Sequence, residues 1–291
     1  MQERRAINMK QAIYAENISK SFKNHKILHE INFSVKKGEI FGLIGSSGAG
    51  KTTLMKILTG QIKADTGIAY INHIKSEELK GKNYQKIGIM MDNFGLYERL
   101  TCFDNLKIFA RLYKIKNQVI FQSLESVGLL ESKNIAVSKL SKGMKSRLRL
   151  ARVLMHNPDI IFLDEPTSGL DPATAKEIEK LIVLQKNNGK TIVLTTHHMP
   201  EAEMLCNQIA MLNHGTIIEQ GSPQEICKRY YHQKKLRIHL ADGSNKEIVQ
   251  NIQSADIIYK LLKNNKLETI HSTEPNLETV FMELTGKEFS I

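Results

Sequence analysis

The sequence predicts an α/β fold: a parallel core sheet, N-terminal antiparallel strands, an inserted helical subdomain and a small C-terminal α+β appendage. Three observations carry that prediction. Ile40-Phe41-Gly42-Leu43-Ile44 is a continuous apolar run, the pattern of a strand buried on both faces, and a glycine-rich loop and a helical stretch follow it. Buried-strand patterns return at 160–163 and 191–195 with a helical segment over 173–185 between them, and strands alternating with helices argue for a parallel sheet with covered faces. Between about 96 and 157 strand signals give way to helical spacing, as in Leu106, Phe109, Ala110 and Tyr113.

Taken in order, Ala12-Ile13-Tyr14-Ala15 and Ile31-Asn32-Phe33-Ser34-Val35 alternate apolar and polar side chains and predict short strands. A helix is predicted from about 51 to 59 and a further strand over 67–72. The turn cluster Gly221-Ser222-Pro223 divides the chain into a first domain of residues 1–222 and a second of 223–291. In the second, 236–240 and 246–249 predict a hairpin around Asp242-Gly243, followed by helices over 253–264 and 276–285.

The 291 residues suit one large domain with an appendage, and 41% hydrophobic content supplies a core. The formal net charge of +11 fits an anionic partner, whether nucleic acid, a phospholipid surface or a phosphorylated ligand, and equally fits solvated lysine-rich faces. Cys102, Cys206 and Cys227 form no CxxC pair, which fits a reduced, cytosolic setting. No HExxH pattern offers a metal site built from side chains alone. The N-terminus has charge without a following apolar region, so no signal peptide is expected. No stretch approaches the ~18 apolar residues that cross a bilayer.

The chemistry starts at Gly45-Ser46-Ser47-Gly48-Ala49-Gly50-Lys51-Thr52, which fits GxxxxGK[ST] and runs on to Thr53. Such a loop curls several backbone N–H groups around one anion, and the helix behind it adds the positive end of its dipole. Lys51 supplies a full charge to the β- and γ-phosphates of a nucleoside triphosphate, and Thr52 offers a hydroxyl to Mg²⁺. A second buried run, 160–163, leads into Asp164-Glu165-Pro166. Ligands of parallel sheets sit beyond the carboxyl ends of the strands, so Asp164 is expected at the metal and Glu165 as the base or water-orienting group for attack on the γ-phosphate.

With these motifs in place, residues 11 to about 222 resemble the ATP-binding-cassette ATPases, and the predicted fold is that of a P-loop NTPase cassette. Leu140-Ser141-Lys142-Gly143-Met144 resembles the family signature LSGGQ, ahead of a helix with Arg147 and Arg149. Ser168-Gly169-Leu170-Asp171 is similar to the loop that crosses between two subunits, His197 to the switch histidine at the γ-phosphate, and Phe22 to an aromatic that stacks on adenine. The resemblance implies ATP and Mg²⁺ as ligands and a nucleotide sandwiched between the phosphate loop of one cassette and Ser141, Gly143 and the helix N-terminus of another. One loop and one signature per chain imply a second cassette, most simply a homodimer.

Two departures stand out. Lys142 and Met144 replace the usual glycine and glutamine of the signature, and Asp92, ending Ile87-Gly88-Ile89-Met90-Met91-Asp92, replaces a glutamine that touches Mg²⁺ or the attacking water. An ionised carboxylate binds Mg²⁺ but donates no hydrogen bond. His198, a near-duplicate of His197, is read as structural, and Lys139, Lys142, Lys145, Arg147, Arg149 and Arg152 form a basic cluster facing nucleotide, lipid head groups or solvent.

Leu96-Tyr97-Glu98-Arg99-Leu100-Thr101, with Asn105-Leu106, resembles the family's docking region for a membrane partner. The tail around Glu274–Phe281 and Leu284-Thr285-Gly286 resembles the drug-, bacitracin- and lantibiotic-export type. The resemblance thus implies an ATPase subunit, peripheral on the cytoplasmic face of the cell membrane, that powers export of a peptide antibiotic or drug through a separate integral membrane permease. A polysaccharide or lipid-linked cargo is an alternative within that class. The rival class is a soluble cassette acting on nucleic acid or ribosomes; its relatives carry paired cassettes or long coiled-coil inserts that this chain lacks, so no nucleic-acid partner is expected.

Overall fold

A computed structural model describes residues 10–91, 95–231, 234–272 and 274–286. The chain divides into two units, residues 1–220 and 221–291. In the first, β1 (Gln11–Phe22) and β2 (His25–Lys36) pair antiparallel. They are 12-residue strands rather than the short ones the alternation predicts. Register shifts between Ala15 and Ile18 and around Lys20 break the period-2 pattern, so only fragments of each strand alternate in sequence. Asn17 takes φ +52° there, its N–H donating to Asn32 Oδ1 at 2.9 Å.

The chain then enters β3 (Ile40–Ile44), all five residues buried, and α1 (Lys51–Leu58). It returns through β4 (Thr66–Ile71) and β5 (Ile74–Lys75), which extend the first sheet in the order β2-β1-β4-β5. After α2 (Gly81–Tyr84) and β6 (Ile87–Met90) come three helices of the inserted subdomain, α3 (Cys102–Leu112), α4 (Asn117–Ser126) and α5 (Lys142–Leu154). Leu106, Ala110, Ile120, Leu124, Leu148 and Ala151 form a core of their own between these helices, which is why the insertion reads as helical. Buried Asn105 fixes the loop before α3: its side chain accepts from the Tyr97 N–H at 2.7 Å and donates to the Tyr97 and Thr101 carbonyls at 3.1 and 2.9 Å.

The chain re-enters the sheet at β7 (Ile160–Asp164), crosses by α6 (Pro172–Asn187) to β8 (Thr191–Thr196), and continues through α7 (Met199–Leu205), β9 (Gln208–Asn213) and β10 (Thr216–Gly221). The second sheet has the order β10-β9-β3-β8-β7-β6, with β9-β3-β8-β7-β6 mutually parallel. Phe162, in this sheet, is fully buried, worth about 1.5–3 kcal/mol of apolar burial. The parallel strands end together, so the loops after β3, β7 and β8 lie side by side at one edge.

In the second unit, α8 (Pro223–Arg229) precedes the predicted hairpin, β11 (Lys235–Leu240) and β12 (Asn245–Val249), whose turn is closed by the Ser244 N–H donating to Asp242 Oδ1 at 2.9 Å. After α9 (Ile252–Lys263), β13 (Leu267–Ser272) pairs antiparallel with β11, and α10 (Leu277–Thr285) buries Leu277, Val280 and Phe281. No strand is expected from sequence over 267–272, because β13 is an edge strand with five of its six residues exposed and shows no alternation of burial.

Candidate active site

The phosphate loop hangs from the end of β3. Gly45 abuts β9: a Cβ there would overlap the Leu212 carbonyl oxygen. Gly50 caps α1 at φ +106° with Leu28 Cδ2 only 2.7 Å from where a Cβ would stand. Between them Ser46 is half-buried, Ser47 and Gly48 are exposed at the crest, and the buried Ala49 N–H donates to the Ser46 carbonyl at 3.2 Å. Gly45→Ala therefore pushes the loop off β9, and we expect a stability loss of about 1–3 kcal/mol, read as the midpoint of chemical unfolding. An unchanged midpoint would show that the loop does not need the close approach.

Lys51 opens α1 and is only 7% exposed. Its Nζ donates to the carbonyls of Gly45 at 2.7 Å and Ser46 at 3.1 Å and stands 3.6 Å from Glu165 Oε1. Burial lowers its pKa, and the nearby carboxylates of Glu165 and Asp164 oppose that shift. The half-buried Thr52 donates its hydroxyl to Asp164 Oδ2 at 3.0 Å, and Thr53 follows half-buried on the same helix.

Asp164 ends β7 as a buried carboxylate whose Oδ1 also accepts from the Thr195 hydroxyl of β8. Glu165 comes next at φ +48°, a left-handed backbone that costs a side-chain-bearing residue of order 1 kcal/mol or more. Its N–H donates to the Thr195 carbonyl at 3.2 Å and hydroxyl at 3.0 Å, so β8 holds the strained residue in place. The Glu165 Oε2 then reaches His197 Nδ1 at 2.7 Å, just beyond the end of β8. The arrangement is an ammonium, a hydroxyl, two carboxylates and an imidazole around the open mouth of a backbone cradle. Thr195 is a site residue that sequence reasoning did not single out; a hydroxyl at the C-terminal end of a fully buried parallel strand is the signal that could have found it.

The remaining predicted residues lie apart. Ser141 caps α5, its Oγ accepting from the Met144 N–H at 3.2 Å, and Asp171 caps α6, its Oδ1 accepting from the Thr174 N–H at 3.0 Å. Those bonds with Thr174 hold the Asp171 carboxyl below its ordinary pKa. Gly143 lets the two helix starts touch, since a Cβ there would stand 2.5 Å from Thr174 Cγ2. Among the described residues, no hydrogen bond or ion pair joins Ser141, Lys142, Gly143 or Asp171 to residues 45–53. Phe22, at the end of β1, is 47% exposed with Lys20 Nζ 5.5 Å from its ring centre. Asp92 lies outside the described residues.

The departures in the signature now have a physical setting. Met144 packs against the helical core, and the Lys142 ammonium lies over Gly169. The basic cluster is not one free face: Lys145 pairs with Glu98 at 3.0 Å, Arg147 with Glu177 at 3.8 Å, and buried Arg152 donates to the Gly95 carbonyl and covers the Phe109 ring at 4.8 Å.

A phosphate cradle after β3, with a carboxylate pair after β7, the next strand but one in the same parallel sheet, defines a P-loop nucleoside triphosphatase. The ABC transporter family profile matches residues 28–168. A fluoroquinolones export ATP-binding protein of Mycobacterium tuberculosis is 38% identical over 265 residues, covering 89% of this chain and 88% of its own length. A linearmycin resistance ATP-binding protein of Bacillus subtilis is 29% identical over 310 residues, covering 94% and 98%. Among solved structures, a dimeric ATP-binding cassette in a post-hydrolysis state with ADP and phosphate is 28% identical, covering 72% of this chain and 98% of that one, with a TM-score of 0.66. The chain belongs to the ABC transporter family as an ATP-binding cassette, and its activity is ATP hydrolysis. No helix among the described residues is long and apolar enough to cross a membrane.

Proposed function

We propose that this ATPase is the motor of an exporter of drug or peptide-antibiotic cargo, with two copies of the chain closing on ATP beneath a separate membrane permease. The observation that carries the reading is the divided site. The cradle with Glu165 and His197 is in one place, and Ser141, Gly143 and Asp171 form another, with no bond between the two groups among the described residues. A second copy facing the first supplies the missing half in each direction. The names of the Mycobacterium and Bacillus relatives support the cargo class. Residues 1–222 are the nucleotide-binding domain, with the helical subdomain at about 96–157, and 223–291 an appended domain.

In this reading Lys51 leaves the Gly45 and Ser46 carbonyls for the β- and γ-phosphates, and the loop N–H groups of residues 45–53 bind phosphate oxygens. Phe22 stacks on the adenine. Thr52 and Asp164 present a hydroxyl and a carboxylate 3.0 Å apart, the hard-oxygen set that suits Mg²⁺ shared with substrate phosphates. Asp92 is assigned to the same metal and coupling loop. Mg²⁺, when bound, neutralises phosphate charge. Glu165 orients and deprotonates the attacking water, and His197 contacts the γ-phosphate while holding the Glu165 carboxylate. Ser141 and Gly143 of the partner copy cover the γ-phosphate from the other side, with Asp171 at the crossing point.

The permease docks beside the loop of residues 96–101, which buried Asn105 holds rigid. An apolar groove of about 630 Å³ between β6 and the helical subdomain, lined by Tyr84, Ile87, Ile89, Phe109, Leu112 and Tyr113, is the size for an inserted side-chain row of a permease helix. The protein then sits peripherally on the cytoplasmic membrane face. Affinity purification from detergent-solubilised membranes is expected to recover a polytopic membrane protein. Recovery of ribosomes or DNA in its place would overturn the exporter reading in favour of a soluble cassette.

A further inference from the structure

The two loops that carry Glu165 and His197 are joined twice. In front, Glu165 Oε2 meets His197 Nδ1 at 2.7 Å, with the imidazole side chain 53% and the carboxylate 28% exposed. Behind, two residues past Glu165, the Thr167 hydroxyl donates to Glu201 Oε1 at 2.7 Å, four residues past His197 and in the first turn of α7. The eight residues 165–167 and 197–201 thus close a ring with a solvent-exposed bond at one end and a part-buried one at the other. Glu201 is 1% exposed, and among the described residues no lysine or arginine pairs with it. Burying a carboxylate without a cation is costly, so the group is not a packing convenience. Burial raises the Glu201 pKa, and the hydrogen bonds from Thr196 and Thr167 oppose that shift; a hydrogen bond sheltered from water is screened less than an exposed one. The ring has a further anchor: Ser146 Oγ of α5 donates to the Pro166 carbonyl at 3.1 Å in a buried contact.

We propose that Glu201 is a positioning residue for ATP hydrolysis: by holding the Thr167 hydroxyl it sets the Glu165 loop against His197, and through Pro166 and Ser146 it ties that pair to the signature helix. The inference rests on the proposed roles of Glu165 and His197. Its consequence is that movement of α5, whose first turn carries Ser141, Lys142 and Gly143, reaches Glu165 through one backbone carbonyl. Small misplacements of a general base are expensive, since an error of about 1 Å costs on the order of 100-fold in rate.

The test is steady-state ATPase kinetics of full-length Thr167→Val, which keeps the shape and removes the donor, beside Thr167→Ser, which restores it, and Glu201→Gln, which keeps an acceptor oxygen. Thr167→Val is expected to lower kcat by about 10- to 100-fold with KM for ATP within about twofold. Thr167→Ser and Glu201→Gln are expected to stay within about fivefold of the parent kcat. In a His197→Ala background, read by single turnover, Thr167→Val should add less than about twofold, because the pair it positions is already gone. An unchanged kcat in Thr167→Val overturns the inference, as does a full additional loss in the His197→Ala background. Failure of Thr167→Val to fold leaves the decision to Thr167→Ser against Thr167→Ala, with the same expected split. Retained turnover in Glu165→Gln would sink the underlying roles, whereas loss there with normal Thr167→Val sinks this inference alone.

Discussion

Replacing Glu165 with glutamine is expected to lower ATP turnover by roughly 10²–10⁴-fold while leaving ATP bound. Glutamine has the same shape, so the features that hold residue 165 survive: its N–H still donates to the Thr195 carbonyl and hydroxyl, and the loop keeps its φ of +48°. The amide can still contact His197. It cannot accept a proton from water, and it removes one of the two negative charges beside Lys51. ATP affinity is therefore maintained or improved while the chemical step stops. In the proposed homodimer the stalled nucleotide also holds two copies together, so the variant with ATP is expected to sediment as a dimer and the variant with ADP as a monomer. Turnover at the parent rate would remove Glu165 from the chemistry, and an ATP-bound monomer would argue against closure on ATP.

The second large effect is at Lys51. Lys51→Ala is expected to weaken ATP binding by at least about 10- to 100-fold, the loss of a charge-assisted bond to phosphate. Repulsion adds to this. Without the ammonium, Asp164 and Glu165 face the triphosphate with no cation from the loop between them, in a site where Lys51 itself is 93% shielded from water. The Gly45 carbonyl also loses the Lys51 donor, whereas the Ser46 carbonyl keeps the Ala49 N–H. Titration of ATP by calorimetry reads the effect directly, and a dissociation constant equal to the parent's would mean that the triphosphate sits elsewhere.

The sequence carries the core of this fold because the parallel strands are buried on both faces: residues 40–44, 160–163 and 191–195 are continuous apolar or near-apolar runs, and no local competitor disguises them. The cradle is legible for a related reason, since glycine spacing is a direct record of backbone geometry at Gly45 and Gly50. Other features were hidden by non-local causes. Register shifts in β1 and β2 erase alternation, and edge strand β13 has almost nothing to bury. Thr195 and Thr167 act through hydroxyls whose partners are about 30 residues away, at Asp164 and Glu201, so nothing near them in sequence announces the contact. The basic run in α5 reads as one face in sequence, but folding sends Arg152 inward to Gly95 and leaves Lys145 and Arg147 in ion pairs.

The central claim is that each nucleotide site is completed by Ser141 and Gly143 of a second copy, and mixing two inactive variants tests it most directly. Lys51→Ala spoils only the cradle, and Ser141→Arg, at an exposed helix cap, spoils only the covering half. Each alone is expected to be inactive. Mixed in equal amounts, half of the dimers pair one of each, and every such dimer holds one intact cradle facing one intact signature. ATPase activity should then reappear at about a quarter of the parent level. A mixture as inactive as its components would contradict the shared site and place the whole chemistry within a single chain.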